Sequence, residues 1–311
     1  MREVIGHYKN GNYTVTILSD GTKIRYAQEG TEELIPRRPE SMDICITKRC
    51  DAGCAFCHEA ATKDGKHGEI MNAKFIDSLE PFTELAVGGG NALVHPNLIP
   101  FLEKCKERKL IVNMTVQQTH FMQSLEMLHD LCDRKLIFGL GVSLTYPTQD
   151  FIEAIRSFPN AVVHVIAGLA TRTVLSPLYD QGIKLLILGY KQFRKGKTHY
   201  QSSTDAQVRI DCGINWLKEN FLDLVHKFNV VSVDNLAVKQ LSLVSKIPEE
   251  YMKRVYLGED GRFTMYVDTV NQQYATSSTS PNKARHDYTD ETITDMFKTI
   301  RKENGFKVWE E

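Results

Sequence analysis

The chain has 311 residues, 42% hydrophobic and 25% charged, with 38 Lys plus Arg against 39 Asp plus Glu and a net charge of −1. That length buries a substantial core in one large domain with appendages, and the balanced charge offers no global field for nucleic acid or anionic membrane. No apolar run approaches a membrane span, and the first residues lack the apolar core of a signal peptide, so a cytoplasmic protein without a membrane partner is expected. Thiols stay reduced there, and seven cysteines, an odd number, fit a disulfide framework poorly.

The N-terminus opens with an alternating run, Tyr13 to Leu18, then Asp20-Gly21, then Lys23 to Tyr26. Asp-Gly between two β-like runs signals a hairpin, and residues 1–40 read as a small β appendage. Met42 to Ile46 is a strand. The next stretch, Cys50-Asp51-Ala52-Gly53-Cys54-Ala55-Phe56-Cys57-His58, places three cysteines at C-x₃-C-x₂-C spacing. A loop this tight can aim three thiolates at one point, and three thiolates around an inorganic cluster leave one iron open. The same residues also read as a C-x-x-C-H haem attachment signature, a C-x-x-C redox pair, or a zinc knuckle with His67 as a distant fourth ligand. Cys45, Cys105 and Cys132 are read as small buried hydrophobes.

Strands and helices then alternate. A helix capped by Asn72 stops near Pro81, and Glu84 to Val87 is a strand running into Gly88-Gly89-Gly90-Asn91. The helix Leu98 to Arg108 carries Leu98, Phe101, Leu102 and Cys105 on one face. Leu110 to Val116 is a strand, His120 to Cys132 a helix, Ile137 to Leu144 a strand, and Thr148 caps a helix through Ser157. Ala161 to Ala167 is a strand, a helix from Arg172 ends at Gly182, and Lys184 to Leu188 is the sixth strand. A basic loop follows, with Lys191, Arg194, Lys195 and Lys197, read either as solvated surface or as an anion-binding substrate loop. A long helix spans about Cys212 to Phe228, and Val230 to Asp234 offers a seventh strand.

Six or more βα units predict an α/β fold with a parallel sheet and right-handed crossovers, either open and doubly wound or a full or partial barrel. Both place the working site at the carboxyl ends of the strands, so the cysteine loop and the triple glycine land on one rim. From about Lys246 the pattern changes: Asp260-Gly261 between Val255–Leu257 and Phe263–Val267 reads as a second hairpin, Thr276 to Pro281 as a loop, and the end as a short amphipathic helix. The expected division is 1–40, a core at 41–245, and a C-terminal extension at 246–311.

Cys50, Cys54 and Cys57, with aromatic Phe56 before the last, resemble the cluster motif of the radical S-adenosylmethionine superfamily. Gly89-Gly90-Asn91-Ala92-Leu93-Val94-His95-Pro96 resembles that family's Gly-Gly-Glu-Pro-Leu-Leu-His-Pro segment after the second strand. The likeness covers roughly residues 42–235 and extends weakly to uncharacterised bacteriophage-encoded members. It implies a partial (β/α)₆ TIM-like barrel, with small N- and C-terminal β-hairpin appendages, holding a [4Fe-4S] cluster on Cys50, Cys54 and Cys57. S-adenosylmethionine would chelate the open iron, and its reductive cleavage to a 5′-deoxyadenosyl radical would abstract hydrogen from a substrate.

By the same resemblance, Gly89, Gly90 and Asn91 would line the cofactor's amino group, Phe56 would lie near the adenine, Ser143 near the ribose, and Leu188 and Gly189 along the adenine. Asn91 stands where the family usually has Glu, removing charge assistance, and Val116-Gln117-Gln118-Thr119 replaces a common Thr-Asn-Gly, so Gln117 is carried over from a departed motif. No cysteine follows Cys212, which argues against an auxiliary cluster. His58, Lys66 and His67 read as loop structure beside the cluster, and Tyr146 as a residue able to face substrate. The implied partners are an electron donor such as flavodoxin or ferredoxin and an unidentified substrate, a peptide or protein side chain first, a nucleoside or small metabolite second. A non-catalytic zinc module is the rival.

Overall fold

The computed structural model describes residues 2–310. Three strands, β1 (Val4–Asn10), β2 (Tyr13–Leu18) and β3 (Lys23–Ala27), form an antiparallel meander. The Asp20-Gly21 turn joins β2 to β3 as expected, and a second tight turn at Gly11-Asn12 makes the hairpin three-stranded. Alternation puts Tyr13, Val15 and Ile17 of β2 on one buried face.

The main sheet holds ten strands. In chain order they are β4 (Ser41–Thr47), β5 (Glu84–Gly89), β6 (Ile111–Gln117), β7 (Gly139–Ser143), β8 (Ala161–Ile166), β9 (Lys184–Leu188), β10 (Val230–Val233), β11 (Thr264–Asp268), β12 (Gln273–Ala275) and β13 (His286–Asp287). Their spatial order is β10-β9-β8-β7-β6-β5-β4-β11-β12-β13. From β4 to β10 each strand lies parallel beside its predecessor, so right-handed crossovers place the helices on one face of the sheet. Leu85 and Val87, Val112 and Met114, Val163 and Val165, and Leu185 and Ile187 are buried on the helix side. Their strand neighbours Ala86, Gly88, Thr115, His164, Leu186 and Leu188 face a cavity on the other side.

The sheet curves strongly. Asn235, just after β10, donates from Nδ2 to Asp260 Oδ1 at 2.5 Å, and Asp260 lies four residues before β11. Seven strand spacings separate β10 from β11, about 33 Å in a flat sheet, which the short intervening segments cannot span. Lys239 and Glu259 pair across the same gap.

The N-terminal meander closes one end of this curved sheet. Tyr13, Val15 and Ile17 pack with Phe82, Ile111, Phe138 and Phe263, which stand at the starts of β5, β6, β7 and β11. Buried Glu40 ties the two layers, accepting from Arg25 Nε at 2.8 Å and Tyr13 Oη at 2.6 Å. The carboxyl ends of the strands stay open at the opposite end.

Several local expectations change. The helix after the cysteine loop is one turn, Lys74–Asp77, with Ala73 rather than Asn72 at its N-cap. The helix expected over His120 to Cys132 breaks at Ser124 into Gln118–Gln123 and Leu125–Asp133. The long helix begins earlier, at Thr204, with Ser203 accepting from Ala206 N. Thr148 caps its helix as expected.

The C-terminal hairpin forms elsewhere. Val255 ends a helix, Glu249–Val255, that has two acidic residues in its first turn and two basic ones in its last, a charge order favoured by the helix dipole. The hairpin is instead β11–β12, turning at residues 269–272. It is no mere appendage, because β11 inserts parallel beside β4. Met265, Tyr266, Val267 and Asp268 are all buried there, as a central strand requires.

Candidate active site

The cysteine loop leaves the end of β4 and is fixed by backbone pairing before its sulfurs are considered. Cys50 N donates to Thr62 O at 2.7 Å, and Thr62 N to Lys48 O at 2.9 Å. Inside the loop, Cys57 N bonds Cys54 O and Ala60 N bonds Cys57 O, turning the segment back over the sheet. Asp51 reaches outward to His120 Nε2 at 2.6 Å, pinning the loop to the helix after β6.

The triple glycine is shaped by this loop. Gly90 N donates to Thr47 O at 2.6 Å and Asn91 N to Arg49 O at 2.8 Å. A Cβ on Gly90 would lie 2.3 Å from Arg49 O, and one on Gly89, at φ +111°, would lie 2.4 Å from Thr47 O. Two backbones approach so closely that only glycine fits. At Gly88 an added Cβ meets nothing within 4 Å, because that position faces the cavity.

Beneath the loop lies a buried charge network. Glu59, 6% exposed, pairs with Lys48, accepts from Tyr266 Oη at 3.1 Å, and lies 3.5 Å from Arg194 Nη1. Lys48 also pairs with buried Asp268 at 3.0 Å. Burial alone would lower the Lys48 ammonium, but Cys45, Glu59 and Asp268 hold its pKa above the usual lysine value. The basic loop after β9 joins in. Arg194 Nη1 donates to Glu59 O, Lys195 Nζ to Ala61 O at 2.9 Å, and Lys191 Nζ to Ser278 Oγ at 3.0 Å. Gly196 closes against Lys191 O and Phe56 O. These cations are therefore struts of the cysteine loop rather than solvated surface; of Lys191, Arg194, Lys195 and Lys197, the last alone stays exposed.

One cavity of about 390 Å³ gathers most of the candidates. Cys50, Cys54, Cys57, Phe56, Gly89, Gly90, Gln117, Ser143, Leu188 and Gly189 all line it. Asn91 does not; its side-chain oxygen accepts from Leu93 N at 3.2 Å and caps a short 3₁₀ turn. Gln117 also caps the helix that follows it, accepting from Thr119 N at 2.6 Å. His67 bonds Thr47 Oγ1 and stacks edge-on with His95, away from the cavity. Tyr146 is exposed and does not line it. Cys105 is buried, and Cys132 is half-buried on its helix.

Cys50, Cys54 and Cys57 are free and half-buried, and buried Cys45 lines the same cavity. Burial pushes the Cys50 and Cys54 thiols up, and the neighbouring Cys57 adds to it, so a bound cation would be needed to hold thiolates here. Their sulfurs do not all lie within 4.8 Å of one another. Burial also drives His58 well below its ordinary pKa, aided by Lys191, Lys48 and Arg194, so its imidazole is neutral.

Residues with no motif complete the lining: Asp43 on β4, Thr115 on β6, His164 on β8, and Tyr266 on β11. The one advance signal was Asp43 itself, a charge between Met42 and Ile44 in an otherwise apolar strand.

No family model matches the sequence, and no curated protein matches it. Among solved structures the chain is similar to Streptococcus suis SuiB bound to its precursor peptide SuiA, with a TM-score of 0.60 at 12% identity over 96% of this chain and 88% of that one. It is similar to SuiB bound to S-adenosylmethionine, with a TM-score of 0.56 at 13% identity over 85% of this chain, and to a further SuiB structure with a TM-score of 0.53. In both of these it spans 66% of the SuiB chain. At such identity the likeness establishes a shared fold. It says nothing of the bacteriophage likeness.

Proposed function

We propose that the chain is a radical S-adenosylmethionine enzyme that acts on a peptide or protein side chain. One observation carries the reading: three cysteines of a C-x₃-C-x₂-C loop and the glycine segment after β5 meet at the mouth of one cavity, at the carboxyl ends of parallel strands. Cys50, Cys54 and Cys57 would hold a [4Fe-4S] cluster, three thiolates leaving one iron open for the cofactor. When bound, such a cluster supplies the electron that cleaves S-adenosylmethionine and so generates the radical that takes hydrogen from the substrate.

The protein's own residues bind and orient. Gly88, Gly89 and Gly90 present a bare backbone edge for the cofactor's amino group, and Phe56, Leu188 and Gly189 offer an apolar bed for its adenine. Ser143 offers a hydroxyl for its ribose, and Gln117 stands at the end of the next strand. We read the curved sheet as a partial barrel formed by 41–245, with 1–40 as its floor and 246–311 as the extension that adds β11. The closed floor keeps bulk water from the chamber.

SuiB, with the same fold, has been seen with S-adenosylmethionine and with a precursor peptide, which favours a peptide substrate here over a nucleoside or small metabolite. A flavodoxin or ferredoxin would deliver the electron near the cysteine loop. Among the described residues no helix is long and apolar enough to cross a membrane, and a cytoplasmic setting fits seven free cysteines.

Anaerobic reconstitution with iron and sulfide tests the reading. A brown protein with about four irons per chain that forms 5′-deoxyadenosine and methionine under reduction is expected. A colourless protein that takes up one zinc and leaves S-adenosylmethionine intact would overturn it.

A further inference from the structure

Asp43 stands alone among the carboxylates around the chamber. Glu59 is held by Lys48 and Tyr266, Asp268 by Lys48 and the amides of Val270 and Asn271, Asp234 by the amides of Gly189 and Ala237, and Asp260 by Asn235. Among the described residues Asp43 has neither a hydrogen bond nor an ion pair, yet it lines the cavity. It is mid-strand on β4, in register with Ala86 of β5 and Tyr266 of β11. Met42 and Ile44 on either side point into the helix-side core, so Asp43 points the other way, into the chamber.

Folding alone does not call for this residue. Asp43 is solvent-accessible from the open cavity and is not tied to any protein group, so its carboxylate is free for a ligand rather than committed to the fold. Unpaired polar groups converging in an otherwise apolar cavity mark binding positions. We propose that Asp43 is the anchor for a cationic end-group of the substrate, an ammonium or guanidinium, reaching down from the open mouth to the chamber floor. This rests on the reading of the cavity as the reaction chamber.

The surroundings fit a cation. Desolvation pushes the Asp43 carboxyl up, Lys191 opposes it, and the negative charges of Asp260, Glu59 and Asp234 add smaller upward effects. The Nζ of Lys191 is already engaged by Ser278 Oγ, with His58 Nε2 at 3.4 Å. His164 faces the same chamber from β8. Its ring lies over Gly141, where an added Cβ would sit 2.3 Å from Cε1. Burial lowers it to about 4, so at neutral pH it is an uncharged imidazole that can accept from a donor without competing for Asp43. Ala86 beside Asp43 and Gly88 beyond it leave space for the incoming group.

The test uses the full chain, reconstituted anaerobically, with n-butylammonium and methylguanidinium as probes and n-butanol as the neutral control. Saturation-transfer NMR with S-adenosylmethionine present reads binding, and equilibrium dialysis reads cofactor affinity separately. The cations should bind the wild-type chain and n-butanol should not. Asp43→Asn should weaken cation binding at least tenfold, Asp43→Glu should restore part of it, and cofactor affinity should stay within twofold. Equal cation binding by the wild type and a folded Asp43→Asn would overturn the proposal. So would loss of cofactor affinity in Asp43→Asn, which would assign the carboxylate to the sulfonium or ammonium of S-adenosylmethionine. If Asp43→Asn does not fold, indifference of the wild type between n-butylammonium and n-butanol overturns it. Formation of 5′-deoxyadenosine in the same preparation reports on the radical reading independently.

Discussion

A paired substitution in the glycine segment separates its two jobs. Alanine at Gly90 would put a methyl 2.3 Å from Arg49 O and 2.8 Å from Arg49 C, both backbone atoms that cannot swing aside. Overpacking of this kind costs roughly 1–3 kcal/mol. Parting the strands also strains two bonds, Gly90 N to Thr47 O and Asn91 N to Arg49 O, each worth roughly 0.5–1.5 kcal/mol. Gly90→Ala should therefore lose about 2–6 kcal/mol, a large share of the roughly 5–15 kcal/mol of a typical domain, and shift Arg49 beside the first ligand, Cys50. Alanine at Gly88, two residues away, meets open space, and should leave stability unchanged or raise it by up to about 1 kcal/mol. Its methyl would instead occupy cofactor space, lowering S-adenosylmethionine affinity roughly tenfold or more, about 1.4 kcal/mol. Urea titration of the apo chains, iron content after reconstitution and equilibrium dialysis read the three quantities. A Gly90→Ala chain as stable as wild type, or a Gly88→Ala chain that is destabilised but binds cofactor normally, would refute the reasoning.

Alanine at Cys50, Cys54 or Cys57 should each abolish iron–sulfur absorbance and cofactor cleavage together, whereas Cys105→Ala should retain both; a full four-iron cluster in Cys50→Ala would remove the assignment. Arg194→Gln with Lys195→Gln should speed iron loss from the reconstituted protein, because these cations hold Glu59 O and Ala61 O; unaltered iron retention would return them to solvated surface. Asn91→Ala should lose about 1 kcal/mol as a missing cap with little change in cofactor affinity, and a tenfold affinity loss would put Asn91 back among the cofactor's contacts. His164 has its pKa depressed to about 4 in the folded chain, so the unfolded chain binds more protons between pH 6.5 and 4, and stability falls as pH drops through that window. The His164 contribution is at most about 3.4 kcal/mol, and the urea midpoint of wild type should fall relative to that of His164→Gln as pH drops from 6.5 towards 4; parallel pH profiles would show that the imidazole is not held neutral.

Local chemistry carried much of this protein's description in its sequence alone. The C-x₃-C-x₂-C spacing, the Asp20-Gly21 turn, the Thr148 cap and the βα alternation from Met42 to Leu188 depend on residues within a few positions of one another, where periodicity and turn propensity act. The strand-end rule then brought cysteines and glycines to one rim without coordinates. Tertiary structure decided the rest. Phe263–Val267 became an interior strand, hairpinned to β12 and not to Val255–Leu257, because β4 offered an unpaired edge about 220 residues earlier in the chain, and no local pattern encodes that partner. The basic residues after β9 became struts because Glu59 and the carbonyls of Glu59 and Ala61 sit opposite them, more than 130 residues away. Asn91 turned to cap its own 3₁₀ turn because the close approach of Gly90 and Arg49 sets the backbone there. Asp43 and His164 acquired meaning only when sheet curvature turned alternate strand positions towards a shared chamber, since a charge or an imidazole on a strand looks the same in sequence whether it faces solvent or a binding site.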